Sequence, residues 1–481
     1  MQDQTSKPNV LLICVDHWPG HLLGGAGSKE IFTPTLDQLI DNGIHFTQAY
    51  STTPTCIPAR RALMTGMTSQ SHGDRVFNET LTMPENVDTM ADAFTKGGYQ
   101  TYSVGKLHVY PQRDRIGFGE SLICEEGRHH LGLVKDDYEI YLSDKGKNGQ
   151  EQTHGMGVNQ WNVRPWHLDE ELHTTYWTAK ETCRTIQRRN PAKPSFWYCS
   201  FVAPHPPITP PQCYLDMYDD VDVPEPVVGD WAADFDKLPY AMKRHQMNYR
   251  IPTGPGAKVM AKKGFNAQCT YIDHQIRLLI GTLNEQKLID NTIIMLVCDH
   301  GDMLGDHNQY AKAKMFETSM KIPMILSLPK SMKQAGVKDD NLVCLRDVMP
   351  TLLNLCDVDV PDTVEGLDLL SENKRDYLYG EHDEGDTATR MIRKGEHKLI
   401  YYPCGNRFFL FNVVDDPREC NDLYGLPEHE EMVAELKQLM IADMYGNDAD
   451  FIQNGELVGL PDKEYEFEPS YNLSAQRGWR L

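Results

Sequence analysis

Asn9-Val-Leu-Leu-Ile-Cys-Val-Asp16-His17 is the first apolar run of the chain, and it ends on two polar residues able to do chemistry. The same pattern returns at Thr292-Ile-Ile-Met-Leu-Val-Cys298-Asp299-His300. Runs that stay hydrophobic at every position, rather than alternating, are the mark of strands covered on both faces. Further runs are read at Thr101–Val104, Phe196–Val202 and Met324–Leu328. Between them lie helical patterns such as Thr35–Asn42, with Leu36, Leu39 and Ile40 on one face, and Tyr271–Leu283. This alternation predicts an α/β fold: a large, mainly parallel central sheet flanked by helices. Open sheets of that kind bind ligands beyond the carboxyl ends of their strands. There the sequence sets Asp16 and His17, Lys106 and His108, His205, and Asp299 and His300. Four strands delivering such groups to one edge imply one assembled site.

The 481 residues suffice for one large core and a smaller satellite. The formal net charge is -22 with no strongly basic stretch, which argues against nucleic acid or a long polyanion as partner. A small anion remains admissible where cations cluster in a pocket. The start, Met1-Gln-Asp-Gln-Thr-Ser-Lys-Pro, has no basic segment followed by an apolar one, and no apolar run is long enough to span a bilayer. The 12 cysteines show no C-x-x-C pair, and Cys14, Cys199 and Cys298 sit inside apolar runs, as buried free thiols do. The chain is therefore read as cytoplasmic, with no membrane partner. A homo-oligomer is left open.

The stretch from about 110 to 190 has poor periodicity and is rich in His, Trp and Gly, including His129, His130, His154, Trp161, Trp166, His167, His173 and Trp177. It is expected to be an insert that walls the site. Gly, Asp, Ser and Glu accumulate over Pro361–Asn373, which sets a boundary near 370. Beyond it come strand-like runs at Thr389–Ile392, His397–Tyr402 and Phe408–Phe411. An amphipathic helix follows, carrying Met432, Val433, Leu436, Leu439 and Met440. The expected organisation is a catalytic domain over 1–370 and a small α+β domain over 371–481.

Ser51-Thr-Thr-Pro54-Thr-Cys56-Ile-Pro58-Ala-Arg60-Arg61-Ala-Leu63-Met64-Thr65-Gly66 carries C-x-P-x-R at the start of a helix-forming stretch. Cys56 would meet the free backbone N–H groups and positive dipole end of that helix, where an anion is favoured. Arg60 lies one turn later on the same face. With its flanks, the segment resembles the signature of the type I sulfatases. The resemblance continues in order: Asn9 to Asp16; Gly98-Tyr-Gln-Thr-Tyr-Ser-Val-Gly105-Lys106-Leu-His108; Pro204-His205-Pro-Pro207; Asp299-His300-Gly-Asp302-Met-Leu-Gly-Asp306-His307; Lys312; Asp347-Val-Met-Pro350-Thr351; and Asp415 to Leu423.

That resemblance implies an alkaline-phosphatase-like sandwich and a site assigned residue by residue. Cys56 would be oxidised to formylglycine by a formylglycine-generating or radical maturation enzyme. Asp16, Asp299 and His300 would hold one divalent metal ion with an oxygen of modified Cys56. Calcium is the family's usual ion. Arg60, Lys106 and Lys312 would neutralise the sulfate, His205 and Lys312 would protonate the leaving oxygen, and His108 would take the proton of the second diol hydroxyl. One position departs from the pattern: His17 stands where many sulfatases carry a second acid. It is either a further metal ligand or turned elsewhere, and imidazole ligands bring manganese into consideration. The implied activity is hydrolysis of a small sulfate monoester, whether aryl, steroid-like or carbohydrate, with Trp161, Trp166 and Trp177 walling the alcohol half. The alternatives are a phosphonate monoester or phosphodiester hydrolase of the same fold, or a silent anion-binding homologue. His72, His307 and Arg61 are taken as structural.

Overall fold

The computed structural model describes residues 7–125, 134–249, 254, 256–332 and 336–466. His129 and His130 lie outside them. The strands of the body are β1 (Asn9–Val15), β2 (Ile44–Phe46), β3 (Ala49–Tyr50), β4 (Gln100–Gly105), β5 (Glu120–Ile123), β6 (Ser195–Ser200), β7 (Thr292–Cys298), β8 (Met324–Ser327), β9 (Val337–Asp339) and β10 (Val343–Cys344). Eight of them form one sheet in the order β5-β4-β6-β1-β7-β8-β2-β9. Only β8 runs against its neighbours, so the expected, mainly parallel sheet is what forms. All seven residues of β1 and of β7 are buried, which explains their unbroken hydrophobicity. Each buried aliphatic side chain contributes about 1.5–3 kcal/mol relative to exposure.

β1 lies between β6 and β7, so the ends of β4, β6, β1 and β7 open side by side. Backbone chemistry keeps that edge tight. Gly105 ends β4 at φ 103, and a Cβ there would collide with the Ser200 carbonyl. The chain can therefore turn into Lys106 only through glycine. Gly301, after His300, passes so close to the Thr318 backbone that no side chain fits, and its N–H donates to Ser319 O at 2.7 Å.

The stretch 110–190 is more than one insert. It supplies the edge strand β5, a helix at Asp137–Asp144 and a helix at Thr174–Arg188, the last packed against β4, β6 and the long helix Ala257–Glu285. The C-terminal strands β11 (Tyr377–His382), β12 (Thr389–Lys394), β13 (His397–Tyr402) and β14 (Arg407–Asn412) make an antiparallel sheet in sequence order. Its residues alternate between two cores. Ile392, Leu399, Tyr401 and Leu410 pack with Val433, Leu436 and Met440 of the helix Glu430–Asp443. Met391, Ile400, Tyr402, Phe409 and Phe411 pack on Tyr50, Met303, Met315, Phe316 and Met320 of the body. Fully buried Lys398 bridges the same seam, 2.9 Å from Glu317 and 2.6 Å from Glu419. The C-terminal sheet thus buttresses the segment that carries Lys312.

Candidate active site

The helix Cys56–Thr65 is buried at every position and begins on Cys56 itself. Pro58 falls in its first turn, where a missing N–H costs nothing, and Gly66 closes it at φ 66. Its N-cap residue Thr55 makes no side-chain capping bond among the described residues, which leaves the first-turn donors and the positive dipole end beside Cys56. Arg60, one turn on, is fixed on several sides. Its Nε donates to Asp299 Oδ2 at 2.9 Å, and its Nη1 to Ser200 Oγ at 2.7 Å, Lys106 O at 3.0 Å and Tyr198 OH at 3.2 Å. Nη2 makes no hydrogen bond among the described residues and lies 3.7 Å from Asp16 Oδ2.

Two lysines reach the Cys56 sulfur. Lys106 Nζ pairs directly with Asp16 and is 3.7 Å from Cys56 Sγ. Lys312 Nζ is 2.7 Å from the same sulfur, 3.0 Å from His17 Nε2 and 3.3 Å from His205 Nε2. The Lys312 loop is held from both sides. Ala313 N–H donates to Pro54 O, Ala311 N–H to Asp302 Oδ1, and both alanines take positive φ. Such a conformation costs roughly 1–2 kcal/mol per residue and is kept by these bonds. His205 donates its Nδ1–H to Pro206 O at 2.7 Å, turning Nε2 inward.

His300 donates Nδ1–H to Gly301 O at 2.9 Å, which leaves its Nε2 lone pair 3.2 Å from Cys56 Sγ, 3.5 Å from Asp16 and 3.6 Å from Asp299. Asp299 also accepts the His300 backbone N–H at 2.9 Å. Ligand atoms of Asp16, His17, Cys56 and His300 lie within 4.8 Å of one another. Asp299 stands beside this group with one oxygen committed to Arg60.

The electrostatics follow from burial and from the cations. Burial alone would raise the Asp16 carboxyl, but Lys106 first, with Arg60 adding, outweighs it and holds it well below the usual range. Burial pushes Asp299 up, helped by repulsion from Asp16. His300 and His17 are held low by burial first, with Lys312 adding to it. Burial, then Asp16, pushes the Cys56 thiol up to about 12. A plain thiol there stays protonated, unlike a reactive cysteine.

His108 follows two residues after Lys106 and is buried. It has φ 61, its N–H donates to Glu125 Oε1 at 2.8 Å, and its ring sits edge-on to Phe77. It lines a small cavity with Ile57, Arg61 and Asn78. A cleft of about 70 Å³ runs from His205 along Trp166, Tyr138, His154, His173 and Gln268. The expected tryptophan wall is corrected here. Only Trp166 lines the cleft, because Trp161 is buried against Tyr249 and Tyr310, and Trp177 against Tyr138 in a satellite core.

A family model described as Sulfatase matches residues 8–358. The chain belongs to the sulfatase family. A second model, N-sulphoglucosamine sulphohydrolase, C-terminal, matches residues 305–444. An arylsulfatase of Clostridium perfringens is 36% identical over 476 residues, covering 95% of this chain and 98% of the relative. A choline-sulfatase of Rhizobium meliloti is 24% identical, covering 88% and 83%. Among solved structures, the phosphonate monoester hydrolase of Agrobacterium radiobacter superposes with a TM-score of 0.78 at 21% identity, covering 94% of this chain and all of that one. That likeness establishes the shared fold.

Sulfatases are hydrolases that generally work with a divalent metal and a formylglycine, and the residues of this member suit a divalent ion. Two carboxylates and an imidazole whose bare Nε2 is aimed by a carbonyl on its other nitrogen suit a divalent cation. Arg60 Nη2, buried and without a hydrogen bond among the described residues, suits an anion oxygen. The structure also adds positioning residues not singled out above: Ser200 and Tyr198, which hold Arg60, Glu125, which holds Leu107 and His108 through their N–H groups, and Asp302. Asp302 stands inside the quoted Asp299-His300-Gly-Asp302 segment, so a signal for it existed. Glu125 has none.

Proposed function

We propose that this sulfatase hydrolyses a small sulfate monoester to an alcohol and inorganic sulfate, with residue 56 as formylglycine and one divalent metal held by Asp16, Asp299, His300 and residue 56. The observation that carries this reading is the convergence of Lys106 and Lys312 on the Cys56 side chain at a helix N-terminus, with Arg60 Nη2 3.7 Å from the Asp16 carboxylate that Lys106 also pairs with. Such a set of preorganised cations and donors stabilises charge developing on a tetrahedral anion. When present, the metal supplies Lewis acidity at a sulfate oxygen, and the oxidised residue supplies a hydrated aldehyde in place of an inert thiol. Every other task falls to the chain's own side chains. Arg60 and Lys106 orient the sulfate. Lys312 holds the reacting oxygen of residue 56, and its ammonium supplies the proton that the leaving oxygen takes by way of His205 Nε2, 3.3 Å away, whose Nδ1 is tied to Pro206. His108 would take the proton from the remaining hydroxyl of residue 56 as its C–O bond to sulfate breaks, which releases sulfate and restores the aldehyde.

The alcohol half occupies the cleft that His205 lines. Trp166 offers one stacking face there, and His154, His173 and Gln268 offer hydrogen-bonding groups. A maturation enzyme of the formylglycine-generating or radical class is the implied partner, and calcium or manganese the implied ion. Among the described residues no helix is long and apolar enough to cross a membrane. Parallel kinetics on an aryl sulfate and the matched aryl phosphonate monoester test the reaction class. Higher kcat/KM on the sulfate is expected. A preference for the phosphonate beyond about tenfold, or 1.4 kcal/mol in the barrier, overturns the reading.

A further inference from the structure

His17 stands in the cluster of potential metal ligands, yet its hydrogen bonds direct it elsewhere. An ammonium group donates and cannot accept, so the 3.0 Å contact between Lys312 Nζ and His17 Nε2 requires the lone pair to be on Nε2. The proton must then sit on Nδ1, and Nδ1 is 2.8 Å from Asp302 Oδ2. Asp302 is itself fixed, its other oxygen accepting Leu304 N–H at 2.8 Å and Ala311 N–H at 3.1 Å. His205 repeats the arrangement: Nδ1–H on Pro206 O, Nε2 toward Lys312. The three donors of the Lys312 ammonium therefore meet His17 Nε2, His205 Nε2 and the residue 56 side chain. The lone pair that a metal would need is the one Lys312 uses.

We infer that His17 is a positioning residue for Lys312, locked in one tautomer by Asp302, and is not a ligand of the metal. The inference rests on the proposed role of residue 56 as nucleophile. Asp302 and His17 aim the ammonium from one side and His205 from the other, so that its third N–H can only point at residue 56. The positive φ of His17 brings the ring back over the site directly after Asp16.

Three variants of the full chain test it: His17→Asn, which tolerates the positive φ but is too short to reach Lys312; Lys312→Ala; and the pair together. Metal content by elemental analysis of His17→Asn should match wild type. Turnover of an aryl sulfate should fall about 100-fold, and the double variant should be no slower than Lys312→Ala, because both remove one function. Asp302→Asn keeps the imidazole and serves if His17→Asn does not fold; it too should retain metal and lose its effect in a Lys312→Ala background. Loss of metal from a folded His17 or Asp302 variant overturns the inference, as do multiplicative losses in the double variants. A wild-type chain inactive on every sulfate ester overturns the reading beneath it instead, and the metal analysis still decides the place of His17.

Discussion

Arg60 Nε and Asp299 Oδ2 meet at 2.9 Å with both side chains almost wholly removed from solvent, 2% and 0% exposed. The guanidinium therefore joins the helix that carries Cys56 to the end of β7. Removing one partner of such a pair leaves a buried charge uncompensated, at a cost of about 3–5 kcal/mol. Arg60→Met should lose stability on that scale in urea unfolding. Arg60→Lys should lose less, since it keeps the charge but not the planar fork. Both should lose at least about 100-fold in turnover. An Arg60→Met protein as stable as wild type would show that the pair is structurally idle.

Cys56 should be found as formylglycine in active protein, as a mass about 18 Da below the thiol or as its hydrate, because CH₂SH is replaced by CHO. Cys56→Ala should keep the fold, since a small buried side chain changes little, and lose nearly all turnover. Full activity in protein that carries only the thiol would refute the assignment.

Much of this site was legible because its residues sit at ends of unbroken apolar strands. β1 and β7 fall at their expected bounds, and Asp16, Lys106, His205, Asp299 and His300 follow strand ends as read. Local pattern fails where tertiary contact decides. The helix ending at Glu285 begins at Ala257, well before the periodic stretch from Tyr271, because it runs through Gly264, where a Cβ would press on Val163 and Ile208. Propensity disfavours glycine there, and packing overrides it. β2 and β9, of three residues each, are too short to leave a pattern, and β5 opens on the polar Glu120 and Ser121. Tryptophan composition could not tell a cleft wall from a satellite core, since both want a large apolar surface. The tautomer of His17 depends on Asp302, whose contact exists only in the fold.

The metal should be lost with its ligands. His300→Ala should lower metal content and turnover together, while His205→Ala should lower turnover and keep the metal, because its Nε2 faces Lys312. Elemental analysis of wild type and both variants checks this. Restoring chelated wild type with calcium or manganese then identifies the ion. If only calcium restores it, the donor set behaves as a hard oxygen site despite His300.

Lys314 lies two residues beyond Lys312 and is 3% exposed. Burial holds its ammonium down from 10.5 to about 7, with Asp383 opposing and Arg244 adding to the effect. The depressed pKa fixes the sign. Between pH 10 and 7 the unfolded chain binds a proton here that the folded chain resists, so folding stability falls as pH falls across that window, by at most about 1.4 kcal/mol per unit. Lys314→Met keeps the length of the side chain and removes the titration. Its stability in urea should exceed that of wild type at pH 7, and the advantage should shrink steadily towards pH 10. A constant difference across the three conditions pH 7, 8.5 and 10 would show that the lysine is already charged and paired in the folded protein.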